Sequence, residues 1–267
     1  MKAFIIGITI LVSSLLVHGQ NQDINKLDVN GKRTGLWISH YPGGEIKYRG
    51  QFFEGNPVDT LERYYENGNR KAIMITNPDT ELYSARLFDQ EGILRASGSY
   101  LNQRKHGLWF FYNISGKVLM EINYQQDTVE GVAKRYFASG DIMEKTSWIN
   151  NELSGQQIIY NESGKKSAEI SYKFGKMNGI FKTYNSFGFM STYGKYNNGL
   201  KEGKWQYFDE KGQAEFQLQY ESGILLNPEI MDSLQKISFD QYERNRTLLK
   251  DPKNYFDDPF SYIRNKN

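Results

Sequence analysis

Apolar and polar residues alternate along most of the chain. Val118, Met120, Ile122 and Tyr124 alternate with Leu119, Glu121 and Asn123, and Ile170 and Tyr172 alternate with Glu169, Ser171 and Lys173. A period of two places one set of side chains on one face of an extended strand, so these segments read as half-buried β-strands. Turn residues punctuate the alternation, as in Glu66-Asn67-Gly68 and Glu210-Lys211-Gly212. Asn and Gly take positive φ there at low cost, which predicts tight hairpins.

The punctuation is strictly periodic. Glycine falls at every twenty-fourth residue for eight turns, at Gly44, Gly68, Gly92, Gly116, Gly140, Gly164, Gly188 and Gly212. Nine residues upstream runs a second phase: Gly35, Asp59, Tyr83, Gly107, Gly131, Gly155, Gly179 and Gly203. Counted from that phase, position +5 is aromatic or imidazole in all eight units: His40, Tyr64, Phe88, Tyr112, Tyr136, Tyr160, Tyr184 and Phe208. Position +17 is aromatic in seven, with Thr76 the exception, and position +20 is mostly a turn former. A fixed period of this size marks a repeat array. The expected fold is all-β: an elongated meander of about eight 24-residue β-hairpins over residues 34–226, after a linker at 20–33. A lone hairpin is marginal in water. Stacked units would lay like aromatics side by side as ladders, each contact contributing roughly 0.2–1 kcal/mol. Sixteen strands at about 4.8 Å each extend roughly 75 Å.

The pattern breaks after Gly223. Asn227-Pro228-Glu229 has the chemistry of a helix start, and Ile230, Leu234 and Ile237 share a helical face. The reading is a C-terminal α-helix to about Lys250, ended by Asp251-Pro252, which with an aromatic tail caps the array over 227–267.

At the other end Lys2, the apolar stretch Ala3 to Val17 and the small residues before Gln20 have the composition of a secretory signal peptide over 1–19. The expected location is periplasmic or extracellular. With no cysteine, a lipoprotein anchor is excluded, and so are disulfides. Setting Lys2 aside leaves 32 basic residues against 31 acidic ones. That balance argues against a nucleic-acid partner.

No catalytic constellation stands out. The mature chain keeps only His40 and His106, which with no cysteine supports neither a zinc site nor a histidine-based triad. His40 takes an aromatic position and reads as packing. No pair of acids is singled out for glycoside hydrolysis. The glycines recur as turns and form no phosphate loop. Asn113-Ile-Ser115, Asn161-Glu-Ser163 and Asn245-Arg-Thr247 match the glycosylation sequon by chance. No catalytic, metal or cofactor residue is therefore expected. The strict aromatic rows read as ladder core. Position +2 is the less regular set, so Trp37, Trp109, Phe181 and Trp205 are the aromatics to examine as an outward binding surface.

Units such as Gly107-Leu-Trp-Phe-Phe-Tyr112 and Gly203-Lys-Trp-Gln-Tyr-Phe208, each closed by a glycine four residues on, resemble MORN repeats. The similarity is closer to the longer variant labelled antitoxin-type, or YwqK-like, and covers roughly residues 32–226. The second and third units depart, with Asp59 and Tyr83 for the first glycine and Leu61 and Ala85 for the tryptophan, so irregular hairpins are expected there. The resemblance implies an interaction module for a protein partner or membrane lipid, and the label implies a toxin-neutralising binder. It supplies no residue motif. The leading expectation is a non-enzymatic exported scaffold for a protein partner, with lipid or glycan binding as the alternative.

Overall fold

The computed structural model describes residues 24–76 and 80–230. The signal peptide expected over 1–19 and the helix and tail expected beyond residue 230 lie outside them. Of the helix expected from Asn227 onwards, the described residues contain only its start, with Glu229 and Ile230 helical and Ile230 N donating to Asn227 O at 3.3 Å.

All eight units form antiparallel hairpins. In chain order they are Arg33–His40 with Ile46–Phe53, Asn56–Tyr64 with Arg70–Thr76, Leu82–Phe88 with Leu94–Leu101, and Arg104–Tyr112 with Val118–Gln125. Next come Gly131–Tyr136 (preceded by Thr128–Val129) with Ile142–Ile149, Glu152–Tyr160 with Lys166–Lys173, Lys176–Tyr184 with Met190–Asn197, and Leu200–Phe208 with Ala214–Glu221. Each hairpin also pairs with the next, so the units merge into one open meander. Two short strands, Lys26–Leu27 and Ile224–Leu225, pair at its two ends.

Two turn types alternate. Within a unit the turn closes through the periodic glycine: Gly116 N donates to Asn113 O at 3.0 Å and sits at φ 75°. Asn67, expected to share the positive φ of Gly68, does not. Its Oδ1 accepts from Asn69 N at 3.0 Å and holds the turn from the side. Between units, two consecutive residues take the left-handed conformation, as in Gln126 (φ 51°) with Asp127 (φ 68°) and Asn150 (φ 50°) with Asn151 (φ 65°). That is the type I′ hairpin, whose twist matches the strands it joins.

The first-phase glycine has another role. At Gly107 the pairing jumps from Ser97↔Phe110 to Ser99↔His106, so extra residues oppose Gly98 and the strand bulges. Asp59 takes the same left-handed φ, 62°, and keeps the bulge between Gly50↔Leu61 and Gln51↔Val58, in line with the tolerance of Asp for that region. Tyr83 does not, and Thr76↔Tyr83 pairs in straight register with its neighbours. The irregular hairpins expected in the second and third units are thus corrected: both carry the single register shift of the other units, and the departure is the unbulged junction between the two.

One face carries the core. Trp109, Trp148, Trp205, Ile122, Leu153, Ile170 and Leu218 are fully buried. With no second layer among the described residues, side chains cover one another laterally. Tyr100 packs edge-on to Trp109 at 5.0 Å between centroids, and Tyr196 does the same to Trp205 at 5.0 Å. A glycine opposite each tryptophan makes room: a Cβ at Gly98 would lie 2.3 Å from the Trp109 ring, and one at Gly194 2.3 Å from Trp205. Long cations close the lid, with Lys105 Nζ 5.5 Å from the Trp109 centroid and Lys201 Nζ 4.7 Å from that of Trp205. Burial pushes the Lys105 ammonium below its ordinary value against the pull of Asp127.

Candidate functional surface

The aromatics singled out as an outward surface belong to the core. Trp109, Phe181 and Trp205 are 0%, 2% and 0% exposed. Trp37 is half-buried under Arg33, whose guanidinium lies 5.1 Å from its ring, and its Nε1 donates to Lys26 O. Position +2 varies because it fits its neighbours: large where glycine faces it (Trp109, Trp205), small where Met74 pairs with Ala85.

The invariant +5 aromatics do the reverse. Apart from His40 they lie half-buried on the open face, and several of them latch their unit to the one before. Tyr112 OH meets Ser97 Oγ at 2.8 Å, Tyr184 OH donates to Glu169 Oε1 at 3.0 Å, and Tyr136 OH donates to Glu121. Arg49 lies 5.9 Å from the Tyr64 ring and Lys145 5.8 Å from that of Tyr160. Burial, then the Glu169 bond, pushes Tyr184 up to about 12. Lys166 holds Glu169 below the usual carboxylate range. His40, without a ring partner of this kind, is exposed.

Between the two apolar clusters of the packed face lies a polar seam. Arg135 Nη1 meets Glu144 Oε2 at 2.6 Å, Gln157 Nε2 donates to Glu144 Oε1, and Trp148 Nε1 donates to Thr146 Oγ1 at 2.7 Å. Glu144 and Gln157 are buried. Nothing in the alternation marks this seam.

The open face offers one concave site at the third unit. Ile73 and Ile75 form one wall, Leu108 and Phe110 the other, and Ser84, Ser97 and Ser99 floor the groove, with Arg86 beside them; its volume is about 320 Å³. Four adjacent strands build it, so the walls stand three strand spacings apart, roughly 14 Å. It is lined by apolar groups, hydroxyls and a guanidinium, and by no carboxylate, imidazole or thiol. Small residues on the middle strands create it, a signal present in the sequence but hidden under the louder aromatic period. No cluster of three or more metal-ligating side chains is found among the described residues. Asn113 Oδ1 and Asn161 Oδ1 accept backbone N–H bonds within their turns.

Residues 105–126, 129–150 and 153–174 match the family model of the MORN repeat variant. Three MORN-type repeats run here in tandem. Their frame begins two residues before the bulge glycine and ends in the type I′ turn, so the matched unit is the hairpin described above. Comparison with curated protein sequences gives no match. Among solved structures, the crystal structure of a TcdB2–TccC3–Cdc42 assembly is similar over 70% of this chain and 12% of its own, at 9% identity and a TM-score of 0.21. A Photorhabdus luminescens Tc holotoxin pore with a mutated TccC3 is similar over 72% of this chain and 13% of its own, at 10% identity and a TM-score of 0.19. The chain thus spans a small part of the length of either.

Proposed function

We propose that this chain is a non-enzymatic, exported scaffold that presents the open face of its MORN-type array to a protein partner. The groove at the third unit carries the reading: apolar walls around a hydroxyl floor suit an apolar protein segment. Export rests on the composition of residues 1–19. Recovery of a chain beginning at Gln20 from the envelope or medium checks it, and an intact chain held in the cytoplasm would move the search for a partner there.

The test uses the full mature chain as bait in envelope extract, beside two variants. Ser84→Trp fills the groove, whereas Gln156→Trp places the same bulk at the equivalent exposed position three units away. A partner retained by Gln156→Trp and lost by Ser84→Trp supports the groove. Equal capture by all three baits rejects it.

A further inference from the structure

One inter-unit turn is built against its own stability. Phe174 occupies the first left-handed position of the turn after the sixth unit, at φ 50°, and is 69% exposed. The other turns place Glu54, Asn102, Gln126, Asn150, Asn198 or Ser222 there. A bulky aromatic is an outlier in that region, where Asn costs little. On either side Lys173 and Lys176 are direct cross-strand partners. Like charges directly opposite destabilise a sheet, and this is the one described inter-unit turn with two cations in those places. Neither lysine forms an ion pair among the described residues, nor does Glu152 on the preceding turn.

The neighbouring turns extend the patch. Ile149 before it and Leu200 after it are each 50% exposed, and exposed Lys195 lies on the same open face, since Tyr196 beside it points into the core. Ile149 and Leu200 lie on strands five spacings apart, about 24 Å from each other, with Phe174 between. A single aromatic flanked by two aliphatics and two cations has the layout of a protein–protein hot spot.

The geometry points to a second docking surface, centred on Phe174 and flanked by Lys173 and Lys176, for an acidic protein segment bearing an apolar anchor. Carboxylates would relieve the Lys173–Lys176 repulsion, and the anchor would cover Phe174, Ile149 and Leu200. The site is distinct from the groove at the third unit and does not depend on it.

The experiment is selection of a random twelve-residue peptide display library on the full mature chain, repeated on Phe174→Asn and on Phe53→Asn. Phe53, at the strand end beside another inter-unit turn, is an aromatic of comparable exposure, 62%. The expected pool is rich in Asp and Glu around one Phe, Leu or Trp. Its binding falls at least about tenfold in Phe174→Asn, worth about 1.4 kcal/mol, and is unchanged in Phe53→Asn. Phe174→Asn also raises the denaturation midpoint, which separates lost contact from lost fold. No enriched pool, a basic pool, or one indifferent to Phe174→Asn overturns the proposal. Flotation with vesicles containing anionic lipid that depends on Phe174 would overturn it in favour of a bilayer.

Discussion

At the scale of single residues, the glycines separate into those needed for φ and those needed for space. The turn signal alone makes Gly140 and Gly164 the sensitive positions and Gly98 a tolerant one. The contacts reverse that order. Gly140 has positive φ but nothing within 4 Å of a built Cβ, whereas a Cβ at Gly98 would enter the Trp109 ring. Gly140→Val therefore costs roughly 1–2 kcal/mol, and Gly98→Ile costs more than that because a packed indole cannot move aside. The repeat also suggests the rescue, since Met74 pairs with Ala85 where the third unit is small. Adding Trp109→Ala to Gly98→Ile should recover part of the loss, with a coupling of about 0.5–3 kcal/mol in urea titrations. Additive losses would show that the two positions do not share one volume. The +5 latch has a pH signature. Tyr184 is raised from 10.0 to about 12 in the folded chain, so its stabilisation is full below pH 10 and is lost as pH rises through about 12. Tyr184→Phe should make the fall of stability with pH over that window shallower by about one proton. An unchanged slope would mean that the latch is open in solution.

Hairpins, as elements, were the most legible part of the sequence, because period-two alternation and turn chemistry are local. Gly116 and Gly212 announced their turns, and all eight units stand where the period put them. What the sequence concealed was which face each periodic residue serves. Positions +2 and +5 are an odd number of residues apart, so the invariant Tyr136 and Tyr184 fall on the open face and the variable Trp109 and Trp205 in the core. Constancy at +5 reflects a latch that needs a ring every time; variation at +2 reflects volume traded with a neighbour. The groove escaped notice for a related reason, since Ser84, Ser97 and Ser99 break no period. The seam around Glu144 was equally silent, because its partners come from three different strands. It yields its own prediction. Glu144→Ala strips Arg135 of that buried carboxylate and should cost about 3 kcal/mol or more. Exchanging Arg135, Glu144 and Gln157 together for apolar residues of similar size should come out near neutral or stabilising in denaturant titrations. A triple variant as unstable as Glu144→Ala would show that the seam fixes the register between the two apolar clusters.

For the whole molecule the decisive problem is that an open sheet has two edges. The array has sixteen full-length strands, an even number, so the last runs opposite to the first. The first strand of a second copy would therefore continue the antiparallel order without reversal. Such head-to-tail addition does not close, and it leads to filaments. Both edges are stopped by the same device, an asparagine side chain acting as a peptide group. At the first strand Asn25 Nδ2 donates to Ile38 O at 2.9 Å and Asn25 Oδ1 accepts from Ile38 N at 2.8 Å. At the last, Asn227 Oδ1 accepts from Gln219 N at 2.8 Å and its Nδ2 donates to Gln217 O at 3.2 Å. Asn227 was expected as the cap of a helix; Glu229 and Ile230 after it are helical, while its side chain caps the sheet. An amide that satisfies both groups of the strand but carries no further strand ends the ladder. Removing one edge block leaves the other to prevent addition, so Asn25→Ala and Asn227→Ala should each cost about 1 kcal/mol and remain monomeric. The double variant exposes complementary edges on one molecule. Sedimentation velocity should then show a concentration-dependent series of species larger than the monomer. A double variant that sediments as a single monomeric boundary at every concentration would assign the blocking to the short strands Lys26–Leu27 and Ile224–Leu225 rather than to the two amides.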